Sequence, residues 1–71
     1  MKMPLTMIDT GAKGTIKKVG GSAETRRFLE NLGFVVGETV TVLSAFGGNM
    51  IVSIKDSRVA INSDMAMKII V

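Results

Sequence analysis

Residues 29–42 read LENLGFVVGETVTV, and no other stretch limits the fold as tightly, because a helix end and a strand start fall within a few residues of each other. Leu29 and Leu32 share one face at helical spacing. Gly33 can take the left-handed conformation that stops a helix, and Phe34 falls where the residue after that glycine packs back on Leu29. Beyond Gly37, Val40 and Val42 alternate with Thr39 and Thr41 at the period of a half-buried strand. Leu29, Leu32, Gly33, Phe34 and Gly37 are therefore read as structural residues.

A chain of 71 residues makes one domain with one core, and it buries roughly 60% of the surface its unfolded form exposes. It has no cysteine and no histidine, which removes disulfides, thiolate ligands, the commonest general base and the commonest transition-metal ligand. Hydrophobic residues make up 46% of the chain and only three are aromatic, so the core is expected to be Val, Ile, Leu and Met, with self-association as a further source of stability. Pro4, Thr6 and Asp9 break the first apolar stretch, so it does not read as a signal peptide. No later run approaches the roughly 18 residues of a membrane span. A cytoplasmic location without direct membrane insertion is the expectation. The net charge of +3 is spread along the chain, with basic doublets only at Lys17-Lys18 and Arg26-Arg27, a mild bias towards anionic partners.

Residues 3–8 are apolar enough for a strand, and Asp9-Thr10-Gly11 then makes a turn. Residues 15–19 form a second strand, in which Ile16 and Val19 are three apart; both face a core only if the strand bends near Lys17-Lys18. After Gly20-Gly21, Ser22 is placed to cap a helix over residues 23–32, with Glu24 in its first turn and Phe28, Leu29 and Leu32 as its apolar stripe. Arg26 and Glu30 on the other face are one turn apart and form a weak pair. Strands over residues 40–44 and 51–55 flank a hairpin loop, Ala45-Phe46-Gly47-Gly48-Asn49. Asp56-Ser57 connects to a strand over residues 58–61. Ser63 then caps a helical turn over residues 64–67, and residues 68–71 close the chain as an apolar strand.

About five short strands, a helix between the second and third, and a helical turn before the last describe an all-β fold with one short helix, a small SH3-like barrel in a single domain over residues 1–71. Closure lets so short a chain bury an aliphatic core without long free edges.

The order of these residues resembles the FeoA family, the small cytoplasmic proteins of bacterial ferrous-iron uptake, whose domain also recurs at the end of DtxR-type repressors. The resemblance runs the whole length. It rests on Pro4-Leu5, Gly11 and Gly14 with Ile16 and Val19, Arg27-Phe28, Leu32-Gly33-Phe34, Gly37 with Val40 and Val42, Ile61, Ala66, and Ile69 with Val71. Three departures affect loop shape: Val36 and Asn49-Met50 stand where the family often has proline, and Lys55-Asp56 where it often has glycine. The resemblance implies an SH3-like barrel that works by contact with the cytosolic GTPase domain of FeoB, a membrane ferrous-iron transporter, and not by catalysis.

Exposed groups without a structural use are the candidates for that contact: Phe46 with Gly47 and Gly48 at the hairpin tip, and Arg26 with Arg27 on the helix. Aromatics and arginines are the usual anchors of interfaces. Each has a plainer reading, which is favoured: Phe46 folded over one end of the barrel, and the arginines merely solvated. Gly11, Gly14, Gly20 and Gly21 lack P-loop and dinucleotide-binding spacing and read as turn residues. The methionines after Met1 sit in or beside apolar segments and read as core fillers. Asp9, Glu24, Glu30, Glu38, Asp56 and Asp64 are scattered and no histidine activates a hydroxyl, so no catalytic, cofactor-binding or metal-binding residue is assigned. The related repressor domain can use carboxylate-type side chains on metal, and the resemblance therefore leaves ferrous or another transition-metal ion open. A homo-oligomer stays open too. The alternative function is a nucleic-acid-binding barrel, against which stands the lack of Tyr and Trp for base stacking. A repressor's terminal domain is disfavoured, since no DNA-reading helices precede the barrel.

Overall fold

A computed structural model describes residues 2–71. Six strands, β1 (Lys13–Thr15), β2 (Lys18–Val19), β3 (Thr39–Phe46), β4 (Asn49–Ile54), β5 (Ser57–Asn62) and β6 (Ile69–Ile70), form two antiparallel sheets. The larger has the order β1-β3-β4-β5, and the smaller pairs β2 with β6. Helix α1 (Ala23–Asn31) lies between β2 and β3, and α2 (Ser63–Ala66) precedes β6, as the sequence predicts.

The expected bend between Ile16 and Val19 is where the chain changes sheets. The Ile16 carbonyl accepts from Gly37 N–H at 2.8 Å, while the next N–H, of Lys17, donates to the Ile70 carbonyl at 2.7 Å. Ile16 and Val19 are both buried as a result. Residues 3–8 do not form the predicted strand. Pro4 makes one bridge with Ile70, and Leu5–Met7 then coil into a 3-10 turn. In such a turn residues three apart share a side. Leu5 is accordingly buried and Ile8 packs on the core, while Met7 is turned out. Just before this turn Met3 pairs with Val71: Met3 N–H donates to the Val71 carbonyl at 2.9 Å and Val71 N–H donates back at 2.8 Å.

Ser22 caps α1 through its side-chain oxygen, which accepts from Thr25 N–H at 3.1 Å. The other end is a Schellman stop, with Gly33 N–H donating to Glu30 and Phe34 N–H to Leu29, each at 3.0 Å, and Gly33 at φ +111°. Leu29 and Phe34 are fully buried. Phe28, predicted in the apolar stripe, is 49% exposed, because it sits one position outside the face that Leu29 turns to the core. The Arg26–Glu30 pair does not form; among the described residues the one salt bridge joins Lys55 to Glu38 at 3.7 Å.

Val40, Val42, Val52 and Ile54 line the inner face of the larger sheet, with Leu5, Ile16 and Ile69 closing the core from the other side. The β3–β4 register slips between Val42 and Ser44, so Leu43 is left in a bulge. The hairpin loop is shorter than expected, since β3 runs through Phe46 and β4 starts at Asn49. Gly47 and Gly48, both at positive φ, make the two-residue turn that such a short connection needs. The β4–β5 connection is Lys55-Asp56 rather than Asp56-Ser57, again at positive φ (+49° and +64°) but without glycine. Asn62, not Ser63, caps α2: its Oδ1 accepts from Met65 N–H at 2.9 Å. Met50 is buried and Met3 and Met65 pack against the core, whereas Met7 and Met67 are exposed and fill nothing.

Candidate functional site

Phe46 is the last residue of β3, opposite Asn49 in register, and its side chain is 60% exposed. It does not fold over the barrel end, contrary to the favoured reading of the sequence. Its place is fixed from two directions. Gly48 accepts from Ser63 N–H at 2.8 Å, which ties the turn to the start of α2, and Asn49 Nδ2 donates across the turn to Gly47 at 3.4 Å. Beside Phe46 lies a hollow of about 190 Å³, lined by Thr6, Gly47, Gly48, Met50 and Ser63 among others. Three of the five candidate contact residues, Phe46, Gly47 and Gly48, thus meet at one rim.

Arg26 and Arg27 are exposed on α1 and do not line this hollow. Neither takes part in a salt bridge among the described residues. A second hollow, of about 430 Å³, opens between the helices and is lined by Ser22, Glu24, Thr25, Phe28 and Met65. Only the position of Phe28 hints at it in the sequence, since Met65 is more than thirty residues further along the chain. Thr6, Met50 and Ser63 were likewise invisible as rim residues, because each is brought to Phe46 by a different element.

An aromatic side chain on a rigid turn, next to an apolar hollow, can anchor a macromolecular contact. The hollow's only hydroxyls are those of Thr6 and Ser63, and none of the residues lining it is acidic or basic. Among the described residues no three Asp, Glu, His or Cys side chains come together, and no helix is long and apolar enough to cross a membrane.

Among the described residues, six short strands in two antiparallel sheets with two short helices place the molecule among small SH3-like domain proteins. The model of the FeoA domain matches residues 3–71, and the chain belongs to the FeoA family, which is associated with ferrous iron transport. It is similar to a crystal structure of an iron uptake regulatory protein, FeoA, with 28% identity and a TM-score of 0.91 over 99% of this chain and 95% of that one. The Stenotrophomonas maltophilia FeoA complexed with zinc has the same fold at 23% identity, with a TM-score of 0.83 over 94% of this chain and 86% of that one. So does a manganese-dependent transcriptional repressor, at 23% identity and a TM-score of 0.90; 99% of this chain aligns to 40% of the repressor. No curated protein sequence matches the chain. The zinc of the Stenotrophomonas complex has no fitting donor set among the described residues here, where carboxylates are scattered and the sequence lacks His and Cys.

Proposed function

We propose that the protein is a cytoplasmic accessory of ferrous-iron uptake that acts by contact with the cytosolic GTPase domain of the membrane transporter FeoB. Membership of the FeoA family supplies the process. The observation that carries the contact is Phe46: a large aromatic held 60% exposed on a two-glycine turn that is tied back to α2. Burying that ring against a partner is the use its exposure suits, since interface anchors are most often aromatic or arginine side chains. Arg26 and Arg27 form a second candidate edge of the same kind. Any transition metal at such a contact would need most of its ligands from the partner.

Capture of the purified GTPase domain by this protein, with and without guanine nucleotide, tests the reading. Binding that falls about tenfold or more in Phe46→Ala supports it. No capture in either nucleotide state rejects it.

A further inference from the structure

We propose that the outer face of the four-stranded sheet docks an acidic, extended segment of a protein partner, gripped between Lys13 and Arg58. This rests on the reading of the protein as one that acts by contact, and it adds the chemistry of what is contacted.

The register builds the grip. Lys13 is opposite Thr41, Thr41 opposite Ser53, and Ser53 opposite Arg58, so one row crosses all four strands. Residues directly opposite in an antiparallel pair share a face. Thr41 lies between buried Val40 and Val42, and Ser53 between buried Val52 and Ile54, which puts the whole row on the outside. Three strand spacings, about 14 Å, separate the backbone positions of the two cations.

Both cations are uncompensated. The side chains of Lys13 and Arg58 have no ion-pair or hydrogen-bond partner among the described residues. None of the strands contains a carboxylate: Glu24, Glu30 and Asp64 are on helices, Asp9 and Asp56 in turns, and Glu38 already pairs with Lys55. The hydroxyls of Thr41 and Ser53 between them are likewise unused. The face therefore presents two separated positive charges with neutral donors between them, the complement of a segment bearing two carboxylates. In an extended chain, residues four apart lie about 13 Å apart and point to the same side, which matches the span.

Further along the same face the character changes. Ser44, Ile51 and Ala60 form the next row, and Phe46 lies beyond it. A nucleic acid fits less well, because its phosphates are closely spaced and its bases need aromatic platforms, and no aromatic stands between Lys13 and Arg58.

The test is amide-shift mapping on the 15N-labelled protein at low ionic strength, with a synthetic peptide carrying two glutamates four positions apart and its two-glutamine counterpart. Shifts centred on Thr41 and Ser53, absent with the glutamine peptide and about tenfold weaker in Lys13→Glu/Arg58→Glu but not in Arg26→Glu/Arg27→Glu, are expected. Shifts centred on α1, equal binding of both peptides, no shift at millimolar peptide, or an oligonucleotide occupying the face in place of the peptide each overturn the proposal. Capture of the GTPase domain separates the two readings. Equal capture by wild type and by Lys13→Glu/Arg58→Glu removes this face and keeps the transporter, whereas peptide mapping to the face with no capture removes the transporter and keeps the face.

Discussion

The backbone N–H of Ser63 donates to the carbonyl of Gly48 at 2.8 Å, so the tip of the β3–β4 hairpin is held by the first residue of α2. That bond crosses from the element that carries Phe46 to the one that leads into the final strand. Anything that loosens α2 should therefore move the rim of the candidate contact.

The α2 cap offers the direct check. Asn62→Ala removes the side chain that accepts from Met65 N–H and should cost about 1 kcal/mol. Ser63→Ala keeps both the cap and the backbone bond to Gly48, and should change stability by less than about 0.5 kcal/mol. Denaturant melts of the two variants, with amide shifts of Gly47 and Gly48 as the local readout, distinguish them.

The same substitution at two phenylalanines separates folding from contact. Phe34→Ala empties a fully buried site and should cost about 3 to 5 kcal/mol, a large part of the stability of so small a domain. Phe46→Ala removes a ring that is 60% exposed, and its effect on stability should stay within about 0.5 kcal/mol. Thermal melts set beside capture of the GTPase domain should show Phe46→Ala folded and poor at binding. A large loss of stability at Phe46 would contradict this picture.

Gly33→Ala tests the helix stop. A Cβ at this position meets only ordinary contacts, the nearest being Ile54 Cγ2 at 3.7 Å, so any loss reports backbone strain at φ +111° and not a clash. About 1 kcal/mol is expected, which in a domain of this size lowers Tm by about 4–8 °C. An unchanged Tm would mean that the Schellman geometry does not require glycine here.

Asp56→Gly should go the other way. Asp56 holds φ +64° in the β4–β5 turn, a conformation that costs a side-chain-bearing residue more than glycine. A gain of about 0.5 to 1 kcal/mol is expected, visible as a higher denaturant midpoint at unchanged slope. Glu38→Gln, which breaks the exposed pair with Lys55, should change little by comparison.

What could be read from the sequence was decided by neighbours in the chain. Leu29, Gly33 and Phe34 specify their helix stop within six residues, and Ile16 with Val19 announces a bend by spacing alone. Reading failed where distant residues decide. The segment at Pro4 looked like a strand, but a 3-10 turn delivers Leu5 and Ile8 to the core better than alternation would. Asn62 and Ser63 are both good caps, and only the end of β5 selects Asn62. The bulge at Leu43 leaves no mark in composition. Of the candidate site, the glycine turn and its aromatic were legible, but the exposure of Phe46 was not, because it depends on where α2 pins the turn. The row from Lys13 to Arg58 exists only through three separate strand registers.

The paired bonds between Met3 and Val71 join residues almost a full chain length apart. A contact of that reach is entropically late in folding, and barrels built on such contacts close slowly. A nascent chain can assemble the β3–β4–β5 meander from local hairpins while still on the ribosome, yet it has nothing to seal against until Val71 emerges. The larger sheet can therefore form before the barrel is able to close.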